Sequence, residues 1–187
     1  MNSRPAASSA PGSVVRPARR GDAVSLHLIA SATFPLACVP ETPESSIAQY
    51  IGLHLTVDRF RAHLASPDIS LFIAEVNGTP AGYALVDLAE TTDPEVQQYL
   101  TGSPSIELDK FYLLAGRHGS GLADDLMRAV LADARGHGAA SLWLSVGQRN
   151  DRANAFYDRY GFERRGPRTF PIGDSVEADF VRELEFR

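Results

Sequence analysis

Residues 106–146 read IELDKFYLLAGRHGSGLADDLMRAVLADARGHGAASLWLSV and contain a strand, a glycine-rich loop, a helix and a second strand. In the middle of this stretch apolar side chains recur at helical spacing: Leu122, Leu126, Met127, Val130, Leu131 and Ala134. This stripe predicts a helix over residues 121–137 with one buried face, and two glycines mark its end. The apolar runs on either side, 106–114 and 141–146, predict strands. Strand, helix and strand in this order predict a parallel crossover within a sheet.

A β-hairpin precedes this unit. Residues 70–76 and 80–89 read as strands on either side of Asn77-Gly78, which is a strong signal for a two-residue hairpin turn. The same criteria predict a strand at 13–17, helices at 21–32, 45–55, 57–65 and 151–160, a polar insert at 91–102, and strands at 162–170 and 176–186. The element order predicts a mixed α+β (α/β) fold, with a central twisted sheet, partly antiparallel and partly parallel, and flanking helices. Residues 13–187 then form a single domain after a flexible tail at residues 1–12.

Composition limits the classes of function. The chain has 187 residues, of which 44% are apolar and 22% charged, as in an ordinary globular domain. Lys plus Arg is 18 and Asp plus Glu is 23, which gives a net charge of −5 and disfavours a dedicated nucleic-acid binder. The longest apolar runs are far shorter than a membrane span requires. These features predict a cytoplasmic protein without nucleic-acid or membrane partners.

Cys38 is the single cysteine of the chain. One cysteine can form neither an internal disulfide nor a cysteine-based zinc site. Because Cys38 lies in an apolar run, we expect a buried and chemically inert thiol.

The glycine-rich loop spans Arg117-His118-Gly119-Ser120-Gly121-Leu122-Ala123. Glycines there let the backbone approach a ligand, and the helix that follows contributes a partial positive charge at its N-terminus. The loop therefore suits a phosphate or pyrophosphate, although a tight turn without a ligand remains an alternative. It has neither the Lys-Ser/Thr of a Walker loop nor the glycine spacing of a dinucleotide fingerprint.

Residues 106–166 resemble the core of the GNAT superfamily of acetyl-CoA-dependent N-acetyltransferases. The loop glycines Gly119 and Gly121, followed by Leu126-Met127, resemble the family's signature, which the chain departs from only at its first position. Residues 150–162, NDRANAFYDRYGF, resemble the second family pattern, Asn-x-x-Ala-x-x-Phe-Tyr-x-x-x-Gly-Phe, throughout.

The resemblance implies a GNAT fold, acetyl-CoA as the cosubstrate and a chemistry that needs no metal. It assigns protonation of the departing CoA thiolate to Tyr157, and it places Asn150 in the pantetheine or substrate cleft. It further implies main-chain contacts to CoA from Phe111, Tyr112 and Leu113, and pyrophosphate contacts from the loop residues Arg117, His118, Gly119, Ser120, Gly121, Leu122 and Ala123. Read without the family, Asn150 is an ordinary helix N-cap and Tyr157 belongs to a buried stripe.

Attack by an amine requires a base, because most amines are protonated at pH 7. Glu107 lies 11 residues before His118, a spacing at which some GNAT enzymes carry their glutamate base, and the resemblance makes Glu107 the first candidate. Strand alternation predicts that Glu107, Asp109 and Phe111 share one face. A merely solvated carboxylate is the alternative, and Asp109, Asp87 and Glu90 are weaker candidates.

The segments outside the core resemble PaiA-like polyamine N-acetyltransferases, over nearly all of residues 13–187. That likeness implies a small-molecule amine acceptor of the spermidine or spermine type. The acidic residues Asp87, Glu90, Asp93 and Glu95 could attract such a polycation, or could form only a solvated acidic loop. Three alternatives remain open, namely a non-catalytic CoA-binding regulatory module, acetylation of a protein or peptide, and acetylation of an aminoglycoside. A homodimer is compatible with the sequence.

Overall fold

The computed structural model describes residues 12–116 and 120–186. The predicted tail lies almost wholly outside these residues, as do Arg117, His118 and Gly119 of the glycine loop. Seven strands form one sheet: β1 Ser13–Pro17, β2 Ile69–Val76, β3 Thr79–Asp87, β4 Ser105–Leu113, β5 Ser141–Gly147, β6 Glu163–Ile172 and β7 Ser175–Glu185. The α-helices are α1 Ala23–Thr33, α2 Glu44–His54, α3 Val57–Ala65, α4 Pro94–Gln97, α5 Leu122–Gly136 and α6 Asp151–Tyr160. The predicted mixed sheet with flanking helices is confirmed.

The strand order is β1-β2-β3-β4-β5-β7-β6. Only β4 and β5 are parallel, as expected for the two strands that α5 connects, and every other neighbouring pair is antiparallel. The β4–β5 ladder is short, joining Ser105, Ile106 and Glu107 to Ser141, Leu142 and Trp143. Beyond Glu107 the two strands continue without pairing, so the sheet opens at its centre.

The sheet separates two hydrophobic cores. On one face the predicted stripe of α5 is entirely buried, together with Leu108 and Leu113 of β4 and Tyr157 of α6. On the other face α1 and α3 pack against the hairpin of β2 and β3. The predicted turn at Asn77-Gly78 joins those strands, and both of its residues have positive φ, 51° and 74°.

A β-bulge in β4 overturns one expectation about side-chain direction. Asp87 pairs with Glu107 and Val86 with Leu108, but the next residue of β3 pairs with Lys110, so Asp109 has no partner in the ladder. An extra residue reverses the alternation that follows it. Glu107 therefore shares its face with Lys110 and Tyr112, and the prediction that it would share a face with Phe111 is wrong.

Gly82 of β3 packs tightly against β4. A Cβ atom at this position would lie 2.8 Å from the carbonyl oxygen of Tyr112 and 3.0 Å from Cγ of Leu113. Because the nearest obstacle is backbone, we expect Gly82→Ala to lower the free energy of unfolding by about 1–3 kcal/mol. Urea denaturation measures the change. Gly52→Ala is the matched control, since Gly52 lies in α2 with open space around its Cβ position, and alanine there should add about 0.5–1 kcal/mol. Equal stability of Gly82→Ala and wild type would contradict the close approach.

None of the helices within residues 12–116 and 120–186 has the length and apolar character needed to cross a bilayer. The same residues contain no group of three or more His, Cys, Asp or Glu side chains placed to hold a metal ion.

Candidate active site

A cleft lies where β4 and β5 separate. Its empty volume, counted to the open mouth, is about 840 Å³. The walls come from residues 107–112 of β4, residues 145–147 of β5, the start of α6, and β6 and β7. The segment of Phe34, Ala37 and Cys38, together with Tyr50 of α2, closes the remaining side. The cleft exists because the parallel ladder stops at Glu107, and it joins residues more than 100 positions apart in sequence.

Glu107 is the last residue of β4 that pairs with β5, and it lines the cleft at the base of the opening. Burial and the neighbouring Asp109 carboxylate raise the pKa of Glu107 to about 8. A carboxyl group with this pKa is mostly protonated at pH 7 and becomes a base as the pH rises through 8. Such a value lies close to the range that general-base catalysis requires.

Asp109 and Lys110 follow at the bulge and form an ion pair with each other. The Lys110 side chain is 13% exposed, and that of Asp109 is 34% exposed. Burial lowers the pKa of Lys110, but the adjacent Asp109 carboxylate and two tyrosines together raise it more, so the pKa lies above its usual range. Lys110 therefore stays cationic, and its ammonium group is paired with the Asp109 carboxylate.

Tyr157 lies on α6 at the other side of the cleft and is 7% exposed. Its ring packs edge-on against Phe111, Phe156 and Phe162, with ring centroids 5.5 to 6.5 Å apart. Burial raises the pKa of the Tyr157 phenol, so that it stays protonated at neutral pH. Tyr157 is thus both a core residue and a cleft residue.

Asn150 combines the two roles that its sequence allowed. It lines the cleft, and its Oδ1 accepts a hydrogen bond of 3.1 Å from the backbone N–H of Ala153 as the N-cap of α6. The side chain is therefore engaged with its own helix, while the residue still borders the opening.

The predicted CoA contacts divide into three groups. Phe111 and Tyr112 line the cleft, and Leu113 is buried in the core on the α5 side. Gly121 is the N-cap of α5 with φ of 81°, a left-handed conformation that favours glycine. Leu122 is fully buried, and its side chain belongs to the core on the α5 side.

The other loop positions complete this set. Ser120 and Ala123 are both partly buried at the start of α5. Arg117, His118 and Gly119 lie outside the described residues.

Two acids of β7 were missed by the sequence reasoning. Glu177 and Asp179 both line the cleft, and each is only 7% exposed. Oε1 of Glu177 accepts from the hydroxyl of Thr42 at 2.5 Å and from the backbone N–H of Val39 at 3.1 Å, which ties the cleft wall to β7. Oδ2 of Asp179 accepts from the Ser145 hydroxyl at 2.8 Å, and burial raises the pKa of Asp179. Their spacing of two within a strand is the signal that could have revealed them, because it puts both on one face.

Aromatic rings line the cleft beside Glu177, which pairs with Phe170 across β6 and β7. Tyr50 stacks on Phe34 with ring centroids 4.3 Å apart and lies 5.7 Å from the ring of Phe170. Cys38 also lines the cleft, half-buried, and burial raises the pKa of its thiol to about 12. The expectation of an inert thiol is consistent with this value.

The four acids predicted near the hairpin end and the polar insert, Asp87, Glu90, Asp93 and Glu95, are not among the residues that line the cleft. Glu90 accepts from Ser103 and from the backbone N–H of Ser105. Asp93 forms an ion pair with Arg168 at 3.1 Å. Asp87 accepts from the backbone N–H of Ala89. The carboxylates that line the cleft are instead Glu107, Asp109, Glu177 and Asp179, and the cations that line it are Lys110 and Arg168.

The comparisons with known proteins agree with this fold and cleft. An uncharacterised N-acetyltransferase of Mycobacterium tuberculosis strain H37Rv is 39% identical over 165 residues, which are 87% of this chain and 98% of that protein. The PaiA N-acetyltransferase from Thermoplasma acidophilum, solved in complex with coenzyme A, has the same fold, with a TM-score of 0.75 at 16% identity. That likeness covers 93% of this chain and 99% of the other. The model of the acetyltransferase (GNAT) family matches residues 36–162, more than half of the chain. The chain therefore belongs to the GNAT family of acetyltransferases.

Proposed function

We propose that this acetyltransferase transfers acetyl from acetyl-CoA to a primary amine of a small polyamine-like cation, by direct attack while both substrates are bound. The observation that carries this proposal is the single cleft that unites Glu107 and Tyr157 with three further carboxylates. An acidic cleft lowers the energy of a cationic ligand and raises its local concentration. The aromatic wall of Phe34, Tyr50 and Phe170 offers apolar and cation–π contacts to an alkylammonium chain.

In the proposed reaction Glu107 accepts the proton that the ammonium group must lose before it attacks, directly or through a water molecule. The raised pKa of Glu107 makes its carboxylate a stronger base than an exposed glutamate. Acetyl-CoA supplies the activated acetyl group when it binds. Backbone N–H groups near Phe111 and Leu113, which the missing β4–β5 ladder leaves without a partner on β5, are placed to stabilise the developing oxyanion.

Tyr157 completes the proposed set of groups. Its phenol is protonated at neutral pH and borders the cleft, so that it can donate a hydrogen bond and then a proton to the leaving sulfur. The start of α5 at Gly121 is a helix N-terminus, a feature whose main-chain N–H groups can bind phosphate.

The experiment measures CoA release with a panel of acceptors. Spermidine, spermine and 1,4-diaminobutane are compared with butylamine, a peptide with a free N-terminus and an aminoglycoside. We expect polyamines to give the highest kcat/KM, and 1,4-diaminobutane to exceed butylamine. Because the Cys38 thiol has a raised pKa, the protein adds little background to a thiol-detecting assay.

Asp179→Asn is the variant that tests the acidic wall, since asparagine keeps an oxygen acceptor for Ser145 and removes one charge. We expect the preference for the diamine over butylamine to fall about tenfold, because one screened charge contributes on the order of 1 kcal/mol or more. CoA binding without turnover on any amine would contradict the proposed function and favour a regulatory module. Turnover confined to the peptide would contradict the polyamine acceptor.

A further inference from the structure

Arg182 of β7 is a buried cation that the proposed chemistry does not use. Its side chain is 0% exposed, although its charge makes burial costly. Nη1 donates to the Asp158 carboxylate at 2.6 Å and to the carbonyl oxygen of Phe162 at 3.1 Å. Nε and Nη2 both donate to Oδ1 of Asn154, at 3.1 and 2.8 Å. Half of the guanidinium is thus directed at a neutral amide rather than at a carboxylate.

Asn154 links Arg182 to two residues that line the cleft, Gly147 and Asn150. Its Nδ2 donates to the carbonyl oxygen of Gly147 and to that of Asn150, both at 2.9 Å. The two lone-pair directions of Oδ1 are taken by Arg182, so every hydrogen-bonding position of this amide is used. Gly147 is the last residue of β5, and Asn150 is the N-cap of α6. Asn154 therefore joins the last residue of β5, which also pairs with Asp179 of β7, to the first turn of α6.

These joined elements form one side of the opening between β4 and β5. Gly147 lies beyond the point at which the parallel ladder ends, so β4 does not hold it. Tyr157 follows Asn154 by three residues on the same helix, less than one turn away. Besides the pairing of β5 with β7, the β5 end, the α6 N-cap and the helix turn that carries Tyr157 are therefore all linked to the Arg182–Asn154 pair.

We propose that Arg182, acting through Asn154, is a positioning residue that sets the width of the β4–β5 opening and the place of Tyr157, and so determines the affinity for the CoA substrate. This inference rests on the proposed function, which puts CoA in that opening. A saturated and buried hydrogen-bond network suits such a role, because it has a single low-energy arrangement.

Arg182→Lys is the first test, because lysine keeps the charge and cannot form the fork of hydrogen bonds. We expect the Kd for CoA, measured by calorimetry, and the KM for acetyl-CoA to rise about tenfold or more, since misplacement of a binding group by 1 Å has effects of this order. The KM for the amine should change less than twofold, because the acidic wall is untouched. Asn154→Ser tests the other residue of the Arg182–Asn154 pair. A serine side chain is too short to bond to Arg182, Gly147 and Asn150 at once.

Two control variants separate positioning from stability. The Asp158 side chain is 56% exposed. Asp158→Asn removes this charged partner of Arg182 and leaves both hydrogen bonds from Arg182 to Asn154. Arg165→Lys disrupts the arginine network with Glu183 and Glu185 elsewhere on the β6–β7 hairpin. Both controls should keep the wild-type Kd for CoA, even where thermal unfolding shows a lower Tm.

The calorimetric Kd keeps this test independent of the acceptor, so a failure of the proposed amine acetylation would leave the positioning result intact. If Arg182→Lys does not fold, Asn154→Ser decides. A Kd for CoA within twofold of wild type in a folded Arg182→Lys or Asn154→Ser protein would overturn the proposal. So would an equal loss of CoA affinity in Arg165→Lys.

Discussion

Replacing Glu107 by glutamine should lower kcat with a polyamine acceptor about a hundredfold or more at pH 8, because general-base catalysis contributes on this order. Glutamine has nearly the same shape and cannot accept a proton. The KM for acetyl-CoA should change little, since Glu107 lies at the base of the opening on the proposed acceptor side. Steady-state release of CoA at saturating acetyl-CoA measures the loss.

The pH dependence gives this prediction its sharpest form. The pKa of Glu107 is raised to about 8, so its carboxyl is protonated and inactive as a base below that pH. The ratio of wild-type to Glu107→Gln kcat/KM should therefore rise with pH and level off above about 8, while titration of the amine itself cancels in the ratio. Asp109→Asn removes a like charge from beside Glu107 and so lowers the pKa of Glu107. When both proteins carry Asp109→Asn, the ratio of kcat/KM with and without Glu107 should therefore level off at a lower pH. A ratio that does not vary with pH would remove Glu107 from the base role.

Stability measurements control for misfolding in the same variant. The folded-state pKa of Glu107 lies above its ordinary value of 4.5, so the folded protein holds this proton more tightly than the unfolded chain. The contribution of Glu107 to stability must then fall as pH rises from about 4.5 through 8. Glutamine removes this penalty. At pH 9 the free energy of unfolding of Glu107→Gln should therefore exceed that of wild type by about 2 kcal/mol or more. Lost activity in a more stable protein cannot come from unfolding.

Replacing Tyr157 by phenylalanine should lower kcat about a hundredfold, with little change in the Kd for CoA, if its phenol donates the proton to the leaving sulfur. The ring contacts to Phe111, Phe156 and Phe162 are kept, because only the hydroxyl is removed. Rapid-quench measurement of the first turnover gives the chemical step directly, separate from product release.

Tyr160→Phe is the matched control for this change. Tyr160 lies one turn further along α6, and its hydroxyl donates to the Asp124 carboxylate at 2.8 Å, away from the residues that line the cleft. We expect this variant to keep kcat within about threefold of wild type, since it deletes a hydroxyl without touching the reaction. A first-turnover rate for Tyr157→Phe equal to that of Tyr160→Phe would show that the Tyr157 hydroxyl is not the proton donor.

The Asp109 bulge marks the limit of prediction along β4. The strand itself was predicted to within one residue at each end, because its apolar run and the following glycines are local signals. The bulge was not, because the hydrogen bonds of β3 decide which residue of β4 is left unpaired. One unpaired residue turned Lys110 and Tyr112 towards the Glu107 face.

The acidic wall shows the same limit for the cleft. The candidate acids predicted from the sequence were Asp87, Glu90, Asp93 and Glu95, near the hairpin end and the polar insert. Of these, Asp93 pairs with Arg168, and Glu90 binds backbone and hydroxyl groups. Glu177 and Asp179 line the cleft instead. Their alternation could be read from the sequence, but the cavity beside that face could not, since segments far apart in the chain create it.

The strand and helix periods, the hairpin at Asn77-Gly78 and the helix that follows the glycine loop could all be predicted from the amino-acid sequence. These features depend on contacts between residues a few positions apart, which a linear pattern records. The place where the sheet opens, the side chains that line the opening and the link from Arg182 through Asn154 to α6 became known from the folded structure. Those outcomes arise from competition among strand partners for the same backbone hydrogen bonds and from burial by distant segments, so they are properties of the folded chain.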